Sequence, residues 1–439
     1  MTDTVLDLAG IGIGPFNMSV AAHLDSLPEV KAAFFDRRPT FNWHPGLMLP
    51  GAELQNSYLK DLVTAANPTS PWSFMAYLVR HKRFYKFLNC EFDAVYRKET
   101  AAYFKWVASS LPSLNFGHEA EQVSFDKDRF TVRFANGSNV QARSLSVGVG
   151  TTPSVPDCAA PWLSDTCFHA SEIVFRKNAL RGKKVAIIGG GQSGCEVFLD
   201  LINGAVGDQD RVLWFSRRPN FEPLDASAFT NEYFTPEYSD RFHPLPAALK
   251  TLKLAQQKLA SDGASPSTLL AIYRRLYELT YLDGCQADLR LMPNREVVAI
   301  ERQGNSYALT VRNHFDEQLA TYHVEAIVLA TGYATRTPAC LDGLKGRMQF
   351  EGPDRYALNA DYSVIWDGPA SNRIYAVNAS RHSHGIADPQ MSIAAWRGAT
   401  IVNSLLGRMH FDLELPPSLV RWGTEDGDTP AALIAEAAE

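Results

Sequence analysis

The sequence is short of paired cysteines, of concentrated charge and of long apolar runs. Its six cysteines are scattered through 439 residues, and the nearest two, Cys158 and Cys167, stand nine positions apart. That spacing supplies neither a zinc knuckle nor a Cys-x-x-Cys redox centre, and it fits a reduced, cytoplasmic setting. The net charge is −6, with no dense run of Lys or Arg. Nucleic acid is therefore not an expected partner. No window approaches the roughly 20 apolar residues of a membrane span. The start, MTDTVLDLAGIGIG, carries Asp3 and Asp7 where a signal peptide would be positive, and it reads as a first strand. His382 and His384 form a His-x-His pair, but no carboxylate or thiol cluster accompanies them, and no metal is expected.

What is present is a chain 46% hydrophobic and 21% charged, long enough for two or three domains around a large core. Two glycine-rich turns organise it. The first follows the apolar stretch VLDLA and contains Gly10, Gly12, Gly14 and Pro15 before a helix with Val20, Ala21 and Leu24 at helical spacing. Turns without Cβ atoms let backbone N–H groups approach a pyrophosphate, and the helix amino terminus adds a favourable dipole. Asn17 occupies the usual third-glycine position. The next strand, KAAFF, ends in Asp36, 19 residues after Asn17, well placed to accept from a ribose 2′-OH. An acid there points to an adenosine without a 2′-phosphate, as in FAD or NAD.

The second turn follows KKVAII and has the full spacing, with Gly189, Gly191, Gln192, Ser193 and Gly194 leading into a helix whose Val197, Phe198, Leu201 and Ile202 share a face. Its next strand, RVLWF, ends in Ser216, Arg217 and Arg218 rather than an acid. Guanidinium groups suit a 2′-phosphate, so this turn is expected to hold NADPH. The expected fold is α/β with two Rossmann-like dinucleotide-binding domains. Segments 145–156 and 324–338 each read as a buried strand followed by Pro, so the second domain is inserted into the first. The expected boundaries are 1–160 and 326–439 for FAD and 161–325 for NADPH, with a helical, substrate-covering segment at 222–285. The end, TEDGDTPAALIAEAAE, is acidic and Ala-rich and reads as a loosely packed tail.

GIGPFN, NWHPGLMLP, LQNSYLKDLVTAANPTSPWSF, GGGQSG, FTNEYFTPE, LATGY and HGIADPQMS, in this order, closely resemble the flavin-dependent N-hydroxylating monooxygenases of siderophore biosynthesis, nearest to bacterial lysine N6-hydroxylases. The resemblance covers nearly the whole chain. It implies FAD, NADPH, O₂ and a free amine as reactants, with a C4a-hydroperoxyflavin passing its distal oxygen to the amine, and relatives that are often tetramers. It assigns Lys60 and Asn231 to the substrate's polar end, Gln55 beside the flavin ring, Trp43, His44 and Pro45 along the flavin edge, and Ser392 near the substrate amine. Thr331 and Gly332 of LATGY, with His384 and Gly385, belong to the return over the flavin. His44 and His384 fit satisfied core histidines equally well. Two departures stand out: Glu325 replaces the usual Asp, and Ser261 stands where ornithine hydroxylases hold substrate with Asn, which argues against ornithine. L-lysine is the expected substrate, with cadaverine or putrescine the alternative.

Three other classes are weaker. A Baeyer–Villiger-type monooxygenase needs a Gly before the His of its fingerprint, and FHASEI around His169 lacks it. A disulfide reductase needs two thiols about one turn apart. A non-catalytic flavin and NADPH redox sensor leaves the amine-site segments unexplained.

Overall fold

The computed structural model describes residues 5–415 and 419–424, apart from 206 and 208. The acidic tail falls outside the described residues from 425 onward. The first sheet has seven strands. Leu6–Ile11 lies at its centre, parallel to Ala32–Asp36 on one side and to Asn139–Val147 on the other. Two antiparallel strands, Arg129–Phe134 and Ala120–Asp126, extend it. Ile374–Ala376 returns late in the chain to pair with Asn139–Val147.

The second sheet has five parallel strands, in the order Asp288–Met292, Arg211–Phe215, Val185–Ile188, Ala326–Leu329 and Cys167–His169. Its central strands are nearly continuous apolar runs because helices and loops cover both faces. This places the re-entry boundary later than expected. Ala326–Leu329 pairs with Val185–Ile188 and Cys167–His169, so the chain leaves the second domain only after Leu329. An apolar run such as AIVL shows that a strand is buried but not which sheet buries it. The two crossings themselves pair: Thr151–Pro153 runs antiparallel to Tyr333–Thr335, forming a two-stranded ribbon between the domains.

The segment 222–285 is helical as expected, with helices at Pro236–Phe242, Ala247–Gln256 and Pro266–Tyr277 among others. Leu269, Ile272 and Leu276 pack into one cluster with Val197, Phe198 and Leu201 of the second nucleotide helix. Leu252, by contrast, is exposed. An antiparallel sheet of three strands, Arg295–Gln303, Ser306–Asn313 and Gln318–Val324, completes the second domain and was not anticipated. No helix among the described residues is long and apolar enough to cross a membrane.

The core of the first domain contains a titratable group with a readable consequence. His23 is fully buried, its Nδ1 lies 2.7 Å from the Ser19 carbonyl and its Nε2 has no partner. Burial pushes its pKa down to about 4, opposed only in part by Ser19. The unfolded chain binds this proton below about pH 6.5, and the folded chain does so only near its lowered value. Stability is therefore full above pH 6.5 and falls as pH drops toward 4, by on the order of 3 kcal/mol from this group alone. Denaturant midpoints across that window should show the fall, and His23→Gln should flatten it. An unchanged slope in the variant would remove His23 from the explanation.

Candidate active site

The two turns open onto one cavity of about 1560 Å³ between the domains. At the first, Gly12 has φ +89°, and a Cβ there would lie 2.4 Å from the Gly148 carbonyl oxygen. Gly14 caps the helix Pro15–Leu24 with no side-chain hydrogen bond and with Pro at the first position, leaving backbone N–H groups free toward the cavity. Gly10 plays a different part: a Cβ would lie 2.0 Å from the Phe34 ring, so it serves strand packing.

Asn17 is buried within the turn. Its amide donates to the Gly12 carbonyl at 2.7 Å and accepts from Ser146 Oγ at 2.6 Å. It ties the turn to the end of the neighbouring strand, doing by hydrogen bonding what a third glycine does by close packing. Asp36 lines the cavity. It accepts from the Ile13 N–H at 2.8 Å and pairs with Arg38, also at 2.8 Å. Burial alone would raise its carboxyl, but the Arg38 guanidinium and two backbone N–H groups outweigh this and hold it below the ordinary value.

At the second turn, Gly189 has φ +127°, and a Cβ would lie 2.1 Å from the Ala330 carbonyl oxygen. Gly191 caps the helix Gln192–Ile202 and faces open space, while Gln192 and Ser193 line the cavity. Gly194 is buried under the turn, where a Cβ would lie 2.1 Å from the Gly189 oxygen. Arg217 and Arg218 also line the cavity but differ. Arg217 is exposed, 3.5 Å from Glu296. Arg218 donates to the Asp262 carbonyl at 2.7 Å and keeps a buried Nη1 without a partner. An anchored guanidinium with an unused donor fits a nucleotide 2′-phosphate. Arg218→Ala should raise KM for NADPH about tenfold or more and leave NADH nearly unchanged, with a smaller effect from Arg217→Ala. Steady-state kinetics with both nucleotides checks this; equal effects would confine Arg218 to a structural role.

These cradles, uncapped helix ends and the free Arg218 donor fit FAD on the first turn and NADPH on the second. Trp43, His44, Pro45, Gln55, Ser261, Thr331 and Gly332 line the same cavity. His44 has φ 46°, a left-handed conformation unusual for a side-chain-bearing residue. It lines the open cavity, where desolvation by the surrounding protein, then the charges of Arg97 and Arg38, lower its pKa to about 4. Gln55 reaches across the domains, donating to Ser265 Oγ at 3.0 Å and lying 3.4 Å from Gln192 Oε1. Ser261 Oγ accepts from Arg381 Nη2 at 3.2 Å.

Besides Gly10, Asn17 and Gly194, five expected residues do not line this cavity. His384 is buried and stacks on Tyr362 at 4.2 Å, with Ser383 on Nδ1, so the core-histidine reading describes it. Gly385 lies beside Phe242 and Tyr238. Ser392 donates to Asn56 Oδ1 at 3.3 Å, one residue from the cavity-lining Met391. Asn231 ends the short helix Ala228–Asn231, exposed and without a side-chain partner among the described residues. Lys60 is half-buried, has no hydrogen-bond or ion-pair partner among the described residues, and its pKa is lowered by burial. Arg38, Asn56, Arg97 and Arg381 were missed. Arg38 was legible, two positions after the acid at a strand end; the others depend on contacts remote in sequence.

The chain matches the family described as L-lysine 6-monooxygenase/L-ornithine 5-monooxygenase over residues 4–335. It is 40% identical to the L-lysine N6-monooxygenase of Escherichia coli, covering 95% of this chain and 98% of that one. It is 36% identical to a rhizobactin siderophore biosynthesis protein of Rhizobium meliloti, covering 99% and 98%. Among solved structures, the FAD-bound cadaverine monooxygenase of desferrioxamine biosynthesis from Erwinia amylovora superposes with a TM-score of 0.90 at 30% identity, covering 96% of this chain and 99% of that one. These are enzymes, which sets the redox-sensor reading aside. The two turns, the cavity they share and these likenesses lead to one assignment: the chain belongs to the L-lysine 6-monooxygenase/L-ornithine 5-monooxygenase family, FAD- and NADPH-dependent amine N-hydroxylases of siderophore biosynthesis.

Proposed function

We propose that the protein N-hydroxylates the side-chain amine of free L-lysine for a hydroxamate siderophore. The balance is R–NH₂ + O₂ + NADPH + H⁺ giving R–NHOH + H₂O + NADP⁺: an N–O bond forms, the O–O bond breaks, and the second oxygen leaves as water. FAD, when bound, supplies the route for the two electrons from NADPH to oxygen.

The observation that favours an amino acid is Lys60, a half-buried cation with no partner among the described residues. Its natural complement is an anion, and lysine's carboxylate supplies one where a diamine does not. Asn231, with its side chain free on the edge of the helical cover, is the proposed second contact to the polar end. Gln55 is the proposed neighbour of the flavin ring and Ser392, which donates to Asn56, the proposed neighbour of the reacting amine. A lysine amine with a reference pKa near 10.4 is neutral in only about one molecule in 2,500 at pH 7, a cost of about 4.6 kcal/mol. A site that excludes water lowers this cost by disfavouring the ammonium. A cytoplasmic setting, read from the unpaired cysteines, and a tetrameric assembly, carried from the resemblance, belong to the same proposal.

Likeness to the cadaverine monooxygenase supports a diamine as the second reading. Comparing kcat/KM for hydroxylamine formation from L-lysine, L-ornithine, cadaverine and putrescine separates the two. Lysine should lead by at least tenfold; a lead by either diamine would replace the substrate while leaving the chemistry in place.

A further inference from the structure

Arg97 and Glu196 take no part in lining the cavity, yet they join the two domains at its edge. Arg97 opens the helix Arg97–Ser110 of the first domain. Its guanidinium forks onto Glu196, at 3.0 Å to Oε2 and 2.8 Å to Oε1. The two side chains are only 13% and 6% exposed. A buried, bidentate pair is directional: it holds one relative orientation and penalises others, because separation leaves two buried charges unpaired.

Both ends of the pair continue toward the site. On the flavin side, Arg97 Nη1 also donates to the Leu47 carbonyl at 2.8 Å, fixing the turn Pro45–Leu47 that follows His44. That turn already presses on the second domain, since a Cβ on Gly46 would lie 1.8 Å from the Ser171 oxygen. On the nucleotide side, Glu196 Oε1 accepts from Gln192 Nε2 at 3.0 Å. Gln192 Oε1 in turn accepts from the Ser265 N–H at 2.8 Å and faces Gln55. Gln192 is the first residue of the helix at the second turn. A chain of fixed contacts thus runs from the loop beside His44, through Arg97 and Glu196, to the amino terminus of the NADPH-side helix, and closes through Gln55.

We propose that Arg97 and Glu196 are positioning residues, a latch that sets the register of the NADPH turn against the flavin-side loop. Hydride transfer from NADPH to FAD depends on near-contact geometry across the two domains, and small misplacement is costly in rate. The latch supplies that geometry without touching either nucleotide. This rests on the FAD and NADPH assignment and not on the identity of the amine.

The test is made on FAD-loaded protein without amine, so it is independent of the lysine reading. Removing one member alone destabilises by leaving a buried charge, so the informative variant replaces both with apolar residues of similar volume, Arg97→Met with Glu196→Leu, which buried pairs commonly tolerate. Three quantities are measured: thermal midpoint with FAD content, the dissociation constant for NADP⁺ from the flavin absorbance change, and the limiting rate of anaerobic flavin reduction by NADPH. The latch predicts FAD content and midpoint near wild type, NADP⁺ affinity changed less than threefold, and the limiting rate reduced about tenfold. A limiting rate within threefold of wild type would reduce the pair to a structural contact and overturn the proposal. Should the double variant lose its FAD, Arg97→Gln with Glu196→Gln, which removes both charges together, decides by the same threefold criterion.

Discussion

Gly12→Val is expected to yield a chain that no longer retains FAD, with affinity lowered about 100-fold or more. Two costs combine. The residue sits at φ +89°, which costs a β-branched side chain on the order of 1–2 kcal/mol or more. Its Cβ would also lie 2.4 Å from the Gly148 carbonyl oxygen, with Gly148 itself wedged against Asn17. The atoms its Cβ would meet are all backbone, of Gly148 and Val149, so the turn must open where pyrophosphate is held. Gly346→Ala, at a glycine outside the cavity lining, provides the contrast, because a Cβ there meets nothing within 4 Å. That variant should purify with near-normal flavin. The ratio of flavin absorbance to protein reads both, with circular dichroism confirming that the fold persists. Stoichiometric flavin in Gly12→Val would refute the assignment of this turn.

Lys60→Ala is expected to raise KM for L-lysine between about 10- and 100-fold while leaving cadaverine within about twofold. A hydrogen bond to a charged group contributes about 1.5–3 kcal/mol, and Lys60 is free to give one. Its ammonium has no competing partner among the described residues, and burial already lowers its pKa, so an arriving carboxylate replaces lost hydration rather than an existing ion pair. Lys60→Arg, which keeps charge but not point geometry, should restore part of the affinity. Equal losses on lysine and cadaverine would move the carboxylate contact elsewhere. The NADPH dissociation constant serves as the internal control, since Lys60 does not line the nucleotide cavity.

The two turns were legible because their function demands residues that nothing else explains. Gly12 and Gly189 both occupy positive φ with backbone oxygen inside Cβ distance, so a glycine at those spacings carries structural information by itself. Asp36 was legible as a strand-end acid, but Arg38, which pairs with it, shows that the acid is held rather than free. The two crossing segments were legible as strands, and the ribbon of Thr151–Pro153 with Tyr333–Thr335 lies within them. The boundary at 326 missed because strand burial is visible in an apolar run and sheet membership is not. His384 was ambiguous for a related reason: a polar residue in a motif reads as functional, while its stacking on Tyr362 depends on residues brought together only by folding. Arg97 and Glu196, 99 positions apart, carry no local signal at all.

The most direct measurement is to incubate the FAD-loaded enzyme with NADPH, ¹⁸O₂ and L-lysine and to locate the label in the product by mass spectrometry. The account predicts N6-hydroxylysine carrying one oxygen-18 atom on the side-chain nitrogen, formed in step with NADPH consumption. Lysine recovered without oxygen-18, with NADPH consumed and the label found in hydrogen peroxide, would contradict it.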